Sequence, residues 1–151
     1  MYLSIPWMNR LATFAQAFIT SSPEEAETAR QIRLNLMRHV NLGWILGLSQ
    51  ICRKLQVYFS EGKVQQRGSL WRIWPGKALP VRSFLNCINS SSEARAHFGK
   101  LATDSEIEAM AEIEQQYCAK YGRAYCPEYW LPMQWATRIC KQAMLHGYCD
   151  V

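Results

Sequence analysis

One continuous helical pattern, from Ser22 to about Phe59, constrains this chain more than any other feature of its sequence. Ser22 and Glu25 have the spacing of a capping box, in which each side chain accepts a hydrogen bond from a backbone amide of the first turn. Pro23 falls at the first helical position, where the missing amide proton costs nothing. The pattern therefore predicts a helix that begins at Pro23 and continues to about Phe59.

This predicted helix carries apolar residues on more than one side. Its main face repeats every three or four residues and consists of Leu36, Val40, Trp44, Leu48, Cys52, Leu55 and Phe59, and a second group widens it, namely Leu34, Met37, Ile45 and Ile51. A helix that is apolar around much of its circumference needs neighbours on several sides. We therefore expect part of its cover to come from partners outside this chain.

Three further helices are predicted by apolar periodicity and capping signals. An N-terminal helix from about Pro6 to Ile19 has one apolar stripe, made of Trp7, Leu11, Phe14 and Phe18. A second capping box, Thr103 with Glu106, begins a helix that runs to about Tyr121 and ends at Gly122. Its apolar face consists of Ile107, Met110, Ile113 and Tyr117. The last helix follows Pro132 and ends at Gly147, and its inward residues are Trp135, Ile139, Ala143 and Met144.

Residues 61–100 show no helical or strand period that lasts, and glycine, proline and a serine run interrupt them. We expect an irregular segment here, either a disordered or an inserted loop. The segment is also basic and precedes an acidic helix, within a chain of net charge +5. A solvated loop beside a solvated helix face is our main interpretation. The alternative is a small helical binding module that uses Lys63, Arg67, Arg72 and Arg82 to contact acidic lipid or nucleic acid.

Catalytic and ligand-binding signatures are missing from the sequence. It contains no glycine-rich phosphate loop, no nucleophile elbow, no zinc-protease helix and no calcium loop. None of the six cysteines forms the CxxC pair of a zinc site, and we expect them to stay reduced. Glu108 and Glu112 lie one helical turn apart and are interpreted as an exposed acidic face, and His39 as a packed histidine. We therefore predict no enzyme activity, no catalytic residue, no cofactor and no metal ligand.

No apolar run is long enough to span a bilayer, which requires about 20 residues. The best candidate, Val40 to Cys52, is shorter and is interrupted by Asn41, Ser49 and Gln50. Taken alone, the sequence predicts a soluble chain.

Two blocks of the sequence resemble the bestrophin family of anion channels. The first contains a Pro-Trp-x-x-Arg-Leu motif at 6–11 and continues into the stretch 36–42, Leu-Met-Arg-His-Val-Asn-Leu. The second, from Thr103 to Asp150, has a Trp-x-Pro-x-x-Trp entry at Trp130 and an Ala…Gly ending at Gly147. His39 departs from the family, which commonly has an aromatic residue there. Residues 61–100 replace a much shorter link.

The resemblance implies an all-α subunit of a homopentameric chloride channel at the plasma membrane. Its segments would be bestrophin-like N-terminal helices at 1–60, the inserted loop at 61–100 and bestrophin-like C-terminal helices at 101–151. The matched blocks resemble the cytosolic stretch between the second and third membrane segments, so that the chain would join the membrane through segments it lacks. Many animal members are gated by calcium, but the residues of that site are not among these blocks. The resemblance implies no nucleic-acid partner.

Overall fold

The computed structural model describes residues 25–51, 80–123 and 125–149, together with Thr13, Ala15 and residues 17–19. Those residues contain five helices, α1 (Ala26–Ile51), α2 (Val81–Asn89), α3 (Ser92–Phe98), α4 (Asp104–Tyr121) and α5 (Trp130–Leu145). They contain no β-strand, only an isolated antiparallel bridge between Ile19 and Cys149. The predicted all-α fold class is confirmed.

The helices belong to two packing units. The first comprises positions 1–41 and 130–151, and the second comprises positions 42–129. The long helix α1 therefore contributes its first part to one unit and its second part to the other. The three predicted segments, 1–60, 61–100 and 101–151, follow the family resemblance rather than this division and stay a prediction.

The long helix that dominates the sequence is present as α1, with 26 residues. Its predicted start at Ser22 and Pro23 and its continuation beyond Ile51 lie outside the described residues. Leu36 and Val40 of the predicted main face are buried, and so are Leu42 and Leu46, which the predicted faces omit. The apolar surface of α1 is therefore broader than the pattern indicates, as a helix with neighbours on several sides requires.

The core of the first unit lies between α1, α5 and the residues near Ile19. Its buried members are Ala15, Ile19, Ala29, Leu36, Val40 and Ala136. The helical positions Thr13, Ala15, Ala17 and Phe18 fall within the predicted N-terminal helix. However, Phe18 is exposed, because the buried side of this segment is marked by Ala15 and Ile19. The rest of the predicted stripe, Trp7, Leu11 and Phe14, lies outside the described residues.

Helix α5 begins at Trp130, three residues before its predicted start after Pro132. Pro132 is accommodated because amides of the first turn have no intrahelical partner. The helix ends as predicted at Gly147, where the Gly147 amide donates to the Met144 carbonyl at 3.2 Å and the Tyr148 amide donates to the Ala143 carbonyl at 2.9 Å. These two bonds form a Schellman motif, and Gly147 has the positive φ of 76° that the motif requires.

One inward assignment on α5 is wrong. Ala143 is buried as predicted, but Met144 is 57% exposed. Adjacent residues of a helix are rotated by about 100° around its axis, so burial of Ala143 turns the next side chain towards solvent. Ala136, which the prediction omits, is buried instead.

The expectation of an irregular segment is wrong for residues 81–98, which form α2 and α3. Helix α2 packs against α4 and buries Val81, Phe84, Leu85 and Ile88. This period of three and four residues is too short to stand out among the surrounding turn residues. Whether the segment is an insertion stays a prediction, and residues 61–79 lie outside the described part of the chain.

Side chains fix both ends of α2. The Glu114 carboxylate of α4 accepts a hydrogen bond from the Val81 amide at 3.0 Å. At the other end, Asn89 Oδ1 accepts from the Leu101 and Ala102 amides at 2.8 and 3.0 Å, and Asn89 Nδ2 donates to the Ala102 carbonyl at 2.7 Å. These bonds satisfy backbone groups that would otherwise be left unpaired at the helix termini and in the following turn.

Helix α4 has the predicted limits. Glu106 accepts from the Thr103 amide at 2.8 Å, and Thr103 Oγ1 accepts from the Glu106 amide at 3.4 Å, which completes the capping box. Gly122 ends the helix in the left-handed conformation, with φ of 61°. Ile107 and Met110 of the predicted face are buried, and Ile113 and Tyr117 are half-buried.

Replacing Thr103 with alanine removes one of the two capping bonds of α4. We expect the free energy of unfolding to fall by about 1 kcal/mol, because the Glu106 amide loses its side-chain acceptor. Equilibrium urea denaturation followed by circular dichroism measures the change. Thr137→Ala is the matched control, since the Thr137 hydroxyl donates to the Met133 carbonyl inside α5 and caps nothing. Equal losses in the two variants would contradict a capping role for Thr103.

Candidate functional site

Two polar residues, Arg38 and His39, are buried on α1 in the middle of its apolar pattern. Arg38 and His39 are only 6% and 5% exposed. We call Asn35, Arg38, His39 and Trp135 the Arg38 cluster; the first three lie on α1 and Trp135 lies on α5. Burying a guanidinium is costly unless its donors find acceptors, so this arrangement is a specific feature of the fold rather than ordinary packing.

Two polar contacts join the side chains of the Arg38 cluster on α1. Arg38 Nη2 lies 3.2 Å from His39 Nε2, and Arg38 Nε donates to Asn35 Oδ1 at 3.5 Å. A guanidinium only donates, so the contact with His39 is a hydrogen bond when Nε2 is the ring nitrogen that accepts.

Trp135 connects this cluster to α5. Its ring and that of His39 meet edge to face, with centroids 5.6 Å apart and an angle of 66° between the planes. Such pairs add to the stability that area burial provides. The prediction that His39 is a packed or hydrogen-bonded histidine is confirmed. The burial of Arg38 was not predicted. The position of the Arg-His pair between the apolar residues Leu36 and Val40 is the sequence signal that indicates it.

The acidic residues of α4 face basic residues of the preceding segment. Arg82 forms an ion pair with Glu108, and Lys100 Nζ lies 2.8 Å from Asp104. Glu112 accepts a hydrogen bond from Gln116 at 3.3 Å. Exposed pairs of this kind add little stability. However, they engage the basic side chains that an anionic partner would need to contact. Lys63, Arg67 and Arg72 lie outside the described residues.

The five cysteines within the described residues are free thiols. Cys118 and Cys140 are half-buried, and Cys52 lies outside the described residues. Burial raises the pKa of the half-buried Cys140 thiol above the ordinary value, so its thiol form predominates at neutral pH.

The aromatic residues around Pro132 divide between solvent and core. Trp130 is exposed and Trp135 is half-buried. Within the described residues, no group of three or more His, Cys, Asp or Glu side chains is arranged to hold a metal ion. The same part of the chain has no helix with the length and apolar character that crossing a membrane requires.

The described residues thus form an all-α fold with a buried Arg-His pair on α1, and the His39 ring of that pair contacts Trp135 of α5. A family model described as "Bestrophin, RFP-TM, chloride channel" matches residues 1–72, which include all of α1. Over these residues the chain is similar to the bestrophin family, and the predicted resemblance is confirmed there. No curated protein and no solved structure matches the chain. The resemblance of the second block, Thr103 to Asp150, stays a prediction.

Proposed function

We propose that this chain is part of a bestrophin-like subunit of a chloride channel. The subunit would let anions pass down their gradient, a transport function in which no covalent bond is made or broken. The observation that carries the proposal is the match of residues 1–72 to a chloride-channel family. The chain would supply cytosolic wall and contacts between subunits, and the pore would belong to membrane segments of the complete, pentameric protein at the plasma membrane.

The Arg38 cluster supports this role because it lies inside the matched residues. A buried polar contact is weak as a source of stability, but it disfavours alternative packings in which its groups lose their partners. The contact of the buried His39 ring with Trp135 therefore favours one position of α1 against α5. A channel wall needs such a fixed position, because each subunit must present the same surface to the next.

Exposed apolar side chains at the end of α5 support the proposed contacts between subunits. Met144 and Leu145 are adjacent, and they are 57% and 74% exposed. Large apolar side chains that remain in water at a helix end are candidates for burial in an assembly. The alternative function, a binding module for acidic lipid or nucleic acid, receives less support, since Arg82 and Lys100 already face carboxylates of α4.

Replacing Met144 and Leu145 together with lysine tests the proposed contact. We expect the tagged wild-type chain to copurify with a co-expressed full-length bestrophin subunit, and the double variant to lose at least about nine-tenths of that association, which corresponds to 1.4 kcal/mol or more. Folding should be preserved, because both side chains are exposed and lysine suits the negative end of a helix dipole.

The matched control is Gln142→Lys, which adds a positive charge to an exposed position in the same turn. It should copurify like the wild-type chain. Circular dichroism of all three proteins establishes that the helices are intact. Failure of the folded wild-type chain to copurify, or equal retention of the double variant, would argue against the proposed subunit contact.

A further inference from the structure

Cys140 and Cys149 lie on either side of the chain reversal at the end of α5. Cys140 is on the helix, one turn before Ala143, and Cys149 follows the reversal. Both side chains are half-buried and pack against the same core, whose buried members include Ile19, Val40 and Ala136. The two cysteines are therefore nine positions apart in sequence but share one apolar environment.

The Schellman motif brings the second cysteine back towards the first. The Tyr148 amide donates to the Ala143 carbonyl at 2.9 Å, so the chain next to Cys149 is held against the last turns of α5. On its other side, Cys149 pairs with Ile19 in the antiparallel bridge. Cys149 is therefore fixed from two directions, while the regular backbone of α5 fixes Cys140.

The electrostatics of the thiols agree with this proximity. Burial is the main cause of the raised pKa of Cys140, and the negative charge of a Cys149 thiolate raises it further. The remaining described cysteines, Cys87, Cys118 and Cys126, belong to the other packing unit.

We propose that Cys140 and Cys149 form a disulfide when the protein meets a peroxide, and that this bond locks the returning segment onto α5. One thiolate attacks a peroxide oxygen and becomes a sulfenic acid, and the cleaved O–O bond releases hydroxide, which is protonated to water. The second thiolate then attacks the sulfenic sulfur and expels a second water. In sum, two thiols lose two electrons and two protons, and hydrogen peroxide becomes two waters.

The disulfide would act as a redox-controlled covalent link within the first packing unit. Reduced, the returning segment is held by the Schellman bonds and by a single bridge to Ile19. Oxidised, it is also held covalently in a loop of about ten residues, which restricts the unfolded chain. This inference rests on residues of the chain itself and does not depend on the proposed channel function.

Peptide mapping of the full-length chain after treatment with hydrogen peroxide tests the proposal. Trypsin cleaves after Arg138 and Lys141, so the disulfide links peptide 139–141 to peptide 142–151, and the intact protein loses two mass units. A variant that retains only this pair, with Ser in place of Cys52, Cys87, Cys118 and Cys126, should give the same linked peptides. Its melting temperature should rise by about 5 °C on oxidation, and dithiothreitol should reverse the rise.

Cys149→Ser in that background is the matched control and should show no oxidative rise in melting temperature. Mapping of the wild-type chain keeps the test valid if the quadruple variant fails to fold. Linked peptides that contain other cysteines, a disulfide between two chains, or sulfinic acid at Cys140 without a linked peptide would each overturn the proposal.

Discussion

Replacing Trp135 with alanine is expected to lower the free energy of unfolding by about 3 kcal/mol. The variant loses the edge-to-face contact with His39, whose ring centroid lies 5.6 Å away, and leaves a cavity beside the Arg38 cluster. Trp135 is half-buried, so we place the loss at the lower end of the range measured for aromatic truncation. Water that enters this cavity would also compete for the hydrogen bonds of Arg38.

Urea denaturation followed by tryptophan fluorescence and circular dichroism measures this loss. Trp135→Phe keeps an aromatic edge against His39 and should retain most of the stability. Gln134→Ala, at the exposed neighbouring position of the same helix, should change the free energy of unfolding by less than about 0.5 kcal/mol. If Trp135→Ala were no more destabilising than Gln134→Ala, the contact between α1 and α5 would not support the fold.

Replacing Leu85 with alanine should cost about 3 kcal/mol, because Leu85 is fully buried on the face of α2 that packs against α4. The variant tests whether residues 81–98 are a folded part of the chain. Brief trypsin digestion gives a second measurement, since Arg95 lies within α3. The wild-type chain should resist cleavage after Arg95, and Leu85→Ala should be cut there several times faster, as opening of the packed helices becomes more frequent.

Ser83→Ala is the control for this prediction, because Ser83 is an exposed residue of the same helix. It should leave both the unfolding curve and the digestion unchanged. Rapid cleavage of the wild-type chain after Arg95, together with no effect of Leu85→Ala on unfolding, would restore the original expectation of an irregular loop.

Local chemistry explains which parts of the fold the sequence predicts. The limits of α4 follow from Thr103, Glu106 and Gly122, since each forms a bond or adopts a backbone conformation within a few residues of its own position. Gly147 marks the end of α5 for the same reason. The predicted helices therefore agree with the structure where their start and stop signals are local.

The assignments that fail depend on tertiary packing. Helix α2 has only nine residues and no side-chain N-cap, and its amide at Val81 is satisfied by Glu114, which lies 33 positions further along the chain. No local pattern contains that information. The orientation of Met144 likewise depends on which side of α5 meets the core, and the apolar pattern around it permits two neighbouring choices.

The candidate site was only partly predictable. The family resemblance marked Arg38 and His39, and the matched family model covers both residues. Their burial and the contact of His39 with Trp135 depend on α1 and α5 coming together across almost 100 positions of sequence. Sequence periodicity assigns an arginine to solvent by default, because a charged side chain is rarely buried without partners.

The most direct test of the account is a chloride-current measurement on a chimeric channel. The cytosolic stretch between the second and third membrane segments of a full-length bestrophin would be replaced by this chain, and surface delivery and whole-cell current would be measured together. We expect an anion current above that of untransfected cells, and a loss of that current when Trp135→Ala is introduced. A chimera that reaches the cell surface as an assembled oligomer but carries no anion current would contradict it.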